Sequence, residues 1–165
     1  MPDFEKLTPE LSELFLRIDA AAPSDPVLRK AAELWRESRG HRILPQAFIL
    51  EELPAFIRPN AFLAQLIVNG GRHWEFSDAG SSVHVSLGTK AGRLAGIADM
   101  MLSRRLEVIL DLVEQKGEPY AVMFEVQPVP GKRQLCEIYA APLPPAANGG
   151  PRALGVLNSR TEAMP

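Results

Sequence analysis

The stretch EVILDLVEQKGEPYAVMFEVQP, Glu107 to Pro128, changes its hydrophobic period at one glycine. Upstream, Leu102, Leu106, Ile109, Leu110 and Val113 line one side of a helix that the spacing predicts over Asp99 to Lys116. Gly117 is its stop, because glycine enters the left-handed conformation that closes helices at little cost. Downstream, Tyr120, Val122, Phe124 and Val126 alternate with Met123, Glu125 and Gln127, the pattern of a strand with one apolar face. A long helix therefore feeds directly into a strand.

Working outward, Pro130-Gly131 is a turn pair. RQLCEIYAA is the partner strand, with Cys136, Ile138 and Ala140 inward and Glu137 and Tyr139 outward. PLPPAANGGP reads as a surface connector to a last strand, RALGVLNS. Earlier in the chain, FLAQLIV, NGG and RHWEF read as strand, tight turn, strand, since Asn-Gly-Gly tolerates the positive φ values of short hairpin turns. SDAGSSVHVSLGTKAGRLAG is rich in glycine and serine and predicts one or two short helical turns.

Two helices precede these elements. Thr8-Pro9 starts one, with Leu11, Leu14, Phe15 and Ile18 as its stripe, and Asp25-Pro26 starts another, with Leu28, Ala31, Leu34 and Trp35 on one face and Gly40 as its stop. QAFILEELPAFIRPN is a short helix or an extended connector, because Pro54 and Pro59 each restrict the residue before them. Five strands with short or single-helix connections predict an α+β fold, an antiparallel sheet with helices on one side. The domain boundaries follow: 1–24 as an N-terminal helical extension, 25–160 as a single domain and 161–165 as a tail.

The 165 residues suit one domain, and 46% hydrophobic with 23% charged residues is the balance of a globular chain. A formal charge of -2 gives no general affinity for nucleic acid or an anionic membrane surface. The single cysteine, Cys136, has no partner for an internal disulfide, and the N-terminus mixes acids into its apolar residues, so a cytoplasmic location is expected. No apolar run reaches the roughly 20 residues of a membrane span.

Certain residues, with this element order, resemble the PAS superfamily, and within it a group of small single-domain bacterial proteins. In LWRESRGHRILP the likeness is carried by Trp35, Arg39, Arg42, Leu44 and Pro45. WEFSDAGSSV resembles the second strand and its turn, with Gly80, and AGRLAGIADMM resembles the stretch before the long helix, with Gly92, Arg93 and Gly96. The resemblance covers Asp25 to Arg160 and implies a five-stranded antiparallel sheet whose helical side encloses a pocket. It also implies sensing or partner contact in signal transduction without catalysis. On that reading Phe76, Leu106, Ile109, Val122, Phe124 and Ile138 face the pocket. The partner is an unidentified signalling protein or a second copy of the chain, and no cofactor is expected.

The residues themselves leave alternatives. The arginines near Trp35 are either a basic helix C-terminus interacting with the helix dipole or a dedicated anion site. Met123, Leu135 and Tyr139 form either an exposed apolar contact patch beside Glu125 and Glu137 or a face covered by the N-terminal helices. A small α+β enzyme acting on an apolar substrate would need an acid and an imidazole in one cavity, with Asp78 and His73 as the pair. His73, His84 and Cys136 lie too far apart in the chain to suggest a metal site, and GTKAGRLAG lacks the spacing of a phosphate-binding loop.

Overall fold

The computed structural model describes residues 17–19, 23, 25–41, 50–68, 71–83, 92–93, 100–129, 131–145 and 150–163. In chain order the elements are β1 (Arg17–Asp19), α1 (Pro26–His41), β2 (Ala61–Ile67), β3 (His73–Ala79), β4 (Gly92–Arg93), α2 (Met100–Lys116), β5 (Tyr120–Val129), β6 (Lys132–Leu143) and β7 (Arg152–Ala163). Short 3-10 turns at Leu50–Glu52 and Arg58–Asn60 lead into β2. One antiparallel sheet has the order β1-β5-β6-β7-β2-β3-β4, so β2 pairs with β7 at its centre and the two shortest strands sit at its edges.

The expected elements around Gly117 are present. α2 ends at Lys116, Gly117 follows at φ 66°, its N–H donates to Val113 O at 2.8 Å, and β5 begins at Tyr120. Gly71 (φ 110°) and Gly131 (φ 81°) serve the β2-β3 and β5-β6 turns. α1 starts as Asp25-Pro26 predicts, with the Asp25 carboxylate accepting the N–H groups of Val27 (2.9 Å) and Leu28 (3.2 Å). It runs through Gly40 to His41.

Four expectations are corrected. Arg17–Asp19 is a strand, not the end of the first helix: Arg17, Ile18 and Asp19 pair with Met123, Val122 and Ala121 at the edge of β5, which supplies hydrogen bonds that a helix end lacks. The stripe residues Leu11, Leu14 and Phe15 lie outside the described residues. The segment expected to hold only short helical turns is helical at 81–83 but also contributes Gly92–Arg93, a two-residue strand against Phe76 and Glu75. β7 runs to Ala163, into the supposed tail, because β6 pairs with it along its whole length. The helices flank the sheet on both faces instead of one.

Alternation along each strand builds two cores. Toward α2 point Phe62, Ala64, Leu66, Trp74, Phe76, Tyr120, Val122, Phe124, Cys136, Ile138 and Ala140, packed with Leu106, Ile109, Leu110 and Val113. Toward α1 point Leu63, Ala121, Tyr139, Ala141, Leu154 and Val156, packed with Leu28, Ala31, Ala32 and Ile57. Gly155 is required on the first face: a Cβ there would collide with the ring of Phe62, its partner across the ladder. That ring meets Phe76 edge-to-face at 5.2 Å.

α2 is tied to the hairpin through Asp111, whose Oδ1 accepts Trp74 Nε1–H (2.8 Å) and an Arg72 N–H (2.6 Å). Arg72 and Asp111 are both partly exposed, so the ion pair adds little and the buried indole N–H dominates. Replacing Asp111 with Ala is expected to lower unfolding free energy by about 2 kcal/mol, mainly from the unpaired indole, while Arg72→Ala costs less than about 1 kcal/mol. Urea denaturation of both variants checks the order.

Candidate functional site

The six residues expected to face a pocket are brought together beneath α2. Phe76, Leu106, Ile109, Val122, Phe124 and Ile138 are 0 to 4% exposed and belong to one packed cluster. Arg105, itself 8% exposed, lies over the Phe124 ring at 5.7 Å from its centre.

The opposite face holds an open cleft of about 250 Å³ lined by Asp25, Pro26, Met123, Leu135, Glu137, Asn158 and Arg160. It opens where α1 begins, above the outer halves of β5, β6 and β7. Parity puts its sheet residues on one face: Glu137 is opposite Met123 on one side and Asn158 on the other, and Leu135 is opposite Arg160.

Asp25 organises the cleft. Its backbone N–H donates to Glu137 Oε1 at 2.7 Å, one carboxylate oxygen caps α1, and the other accepts Asn158 Nδ2–H at 2.8 Å. Glu137 is 8% exposed, so a carboxylate held by hydrogen bonds forms part of the floor, while Arg160 is exposed at the rim. Met123 and Leu135 are half-buried apolar walls. Such a lining offers apolar surface with a few convergent polar groups.

Of the three residues expected either in a contact patch or under the N-terminal helices, Met123 and Leu135 line this cleft, whereas Tyr139 is fully buried beneath α1, which corrects it as a contact residue and fits the covered alternative. Of the arginine signature, Trp35 packs against the α1-side core and donates Nε1–H to Pro142 O at 3.1 Å. Arg39 lies within α1 but its side chain is outside what the structure describes, as are those of Leu102 and Val126. Arg42, Leu44, Pro45, His84 and Gly96 lie outside the described residues.

His73 and Asp78 are not joined. Ser77 bulges from β3 between them, His73 Nε2 lies 3.4 Å from Glu75 Oε1, and exposed Asp78 accepts the N–H of Ala79. Five residues of extended chain separate the two by about 15 Å. Among the described residues no group of three or more His, Cys, Asp and Glu could hold a metal ion, and no helix is long and apolar enough to cross a membrane.

Sequence reasoning found Met123 and Leu135 from their outward parity but missed Asp25, Asn158 and Arg160. Asp25 was visible as a helix cap, yet nothing local says that its second oxygen meets a residue more than a hundred positions away. Comparisons with protein-family models, with curated proteins and with solved structures found no match.

Both tyrosines are held above their ordinary phenol range. Burial raises Tyr139, against a smaller opposing effect of the Arg36 guanidinium, and burial followed by the Glu118 carboxylate raises Tyr120. A folded pKa above the unfolded value favours the folded state below the unfolded pKa and loses that favour as pH rises past it. Stability is thus expected to fall above pH 10, with phenolate absorbance appearing together with unfolding. A phenolate signal from chain that is still folded, near pH 10, would contradict the burial argument.

Proposed function

We propose that the chain is a non-enzymatic PAS-type sensory or protein-interaction module of bacterial signal transduction, with the cleft at the start of α1 as its contact site. The observation that carries this reading is the open, mixed-polarity cleft between the start of α1 and the middle stretches of β5, β6 and β7. Support also comes from the antiparallel arrangement of the five longer strands and the long helix on one face, which is the layout the PAS resemblance implies. A small molecule seated between Met123 and Leu135, with Glu137, Asn158 and Arg160 at its polar edge, would contact α1 and the sheet at once. Binding would then favour whichever α1–sheet arrangement it fits better, by no more than the difference in affinity. The enzyme reading needs His73 and Asp78 in one cavity, and these two stand apart.

Native mass spectrometry of freshly purified protein tests the proposal. A retained small molecule that is lost in Leu135→Trp, with melting temperature changed by no more than a few degrees, supports it, because the larger ring fills the cleft without entering either core. A ligand-free dimer would move the chain to a structural adaptor, and turnover of a substrate would remove the sensory reading.

A further inference from the structure

We propose that α1 is a releasable cover on the sheet, latched by polar contacts toward its two ends and loosened at its middle by the hydroxyl of Tyr139. The latch at the first end is the Glu137–Asp25–Asn158 chain, with contacts of 2.7 and 2.8 Å. Toward the other end it is the Trp35 Nε1–H bond to Pro142 O, at 3.1 Å. Between them α1 sets Leu28, Ala31 and Ala32, with Val27, Leu34 and Trp35 partly buried beside them, against a sheet face that includes Ala121, Tyr139 and Ala141, so two of the three side chains that α1 buries fully are alanines.

The Tyr139 hydroxyl lies in that contact, fully buried, with no hydrogen-bond partner among the described residues. Burial keeps the phenol protonated, so it stays a donor that closure deprives of water. An unmade buried hydrogen bond favours any state that lets water reach the group. The second face of the sheet thus carries a built-in bias toward opening, opposed by side chains that line the cleft. A group entering the cleft would compete for those latch residues and shift α1. The inference stands on this geometry alone and does not depend on the sensory reading.

Amide hydrogen exchange by NMR on the full chain tests it. In the unaltered protein the α1 amides of Ala31 and Ala32 are expected to exchange faster than the α2 amides of Ile109 and Leu110, by local opening. Asn158→Ala is expected to speed α1 exchange about tenfold and leave α2 unchanged. Tyr139→Phe, which removes only the hydroxyl, is expected to slow α1 exchange about tenfold and also leave α2 unchanged. Faster α1 exchange in Tyr139→Phe would show that the hydroxyl has a partner and overturn the proposal. So would α1 and α2 exchanging in step in all three proteins.

Discussion

One sheet is buried on both sides, and every strand at its centre has to satisfy two cores. β6 shows the constraint most sharply: Cys136, Ile138 and Ala140 face α2, while Glu137, Tyr139 and Ala141 face α1, and all six are buried. A strand with one wet face would read apolar-polar in alternation, but here the second face is filled by a tyrosine, alanines and a hydrogen-bonded carboxylate. Each polar group on that face therefore needs a partner supplied by α1 or a neighbouring strand. Glu137 has one in the N–H of Asp25, and the hydroxyl of Tyr139 has none among the described residues.

The two faces are packed by different means. The α2 face uses large side chains against one another, Phe62 over Gly155 and edge-on to Phe76, with the Trp74 indole tied to Asp111. Such a core is hard to open locally, since any movement of α2 uncovers several large rings at roughly 25 cal/mol per Å² of apolar surface. On the α1 face the side chains that the helix buries fully are Leu28, Ala31 and Ala32, with Val27, Leu34 and Trp35 partly buried, compared with Leu106, Ile109, Leu110 and Val113 of α2, so less apolar area is uncovered when α1 moves and its polar contacts carry a larger share of the hold. One sheet thus joins a rigid layer to a more easily displaced one.

What was readable in the sequence follows from which forces are local. The end of α2 at Gly117 and the alternation of β5 and β6 are written in neighbouring residues, and the Asp25-Pro26 start of α1 is a cap that needs only the next three positions. The hairpin around Gly71 is equally local. β1 was not readable, because three residues have too little pattern to outweigh a helical stripe and their pairing is decided by the edge of β5, far along the chain. The face chosen by α1 was left open by an amphipathic stripe that would suit either side of the sheet. The cleft was only half visible for the same reason: outward parity marks Met123 and Leu135, whereas Asp25, Asn158 and Arg160 join them only through the order of strands.

That the cleft lies where it does is a matter of lengths. The 16 residues of α1 span about 24 Å at the helical rise, whereas the 12 residues of β6 extend about 40 Å, so the helix cannot cover the strand beneath it. With Trp35 fixed near Pro142 at one end of β6, the start of α1 falls short of the other end, beside Glu137. The uncovered positions of β6 and its neighbours, half-buried Leu135 and Met123 and exposed Arg160, then lie next to a helix start whose Asp25 already binds across the sheet. A cleft formed in this way shares its walls with the helix's own anchor, so occupancy of the one and docking of the other are coupled by geometry.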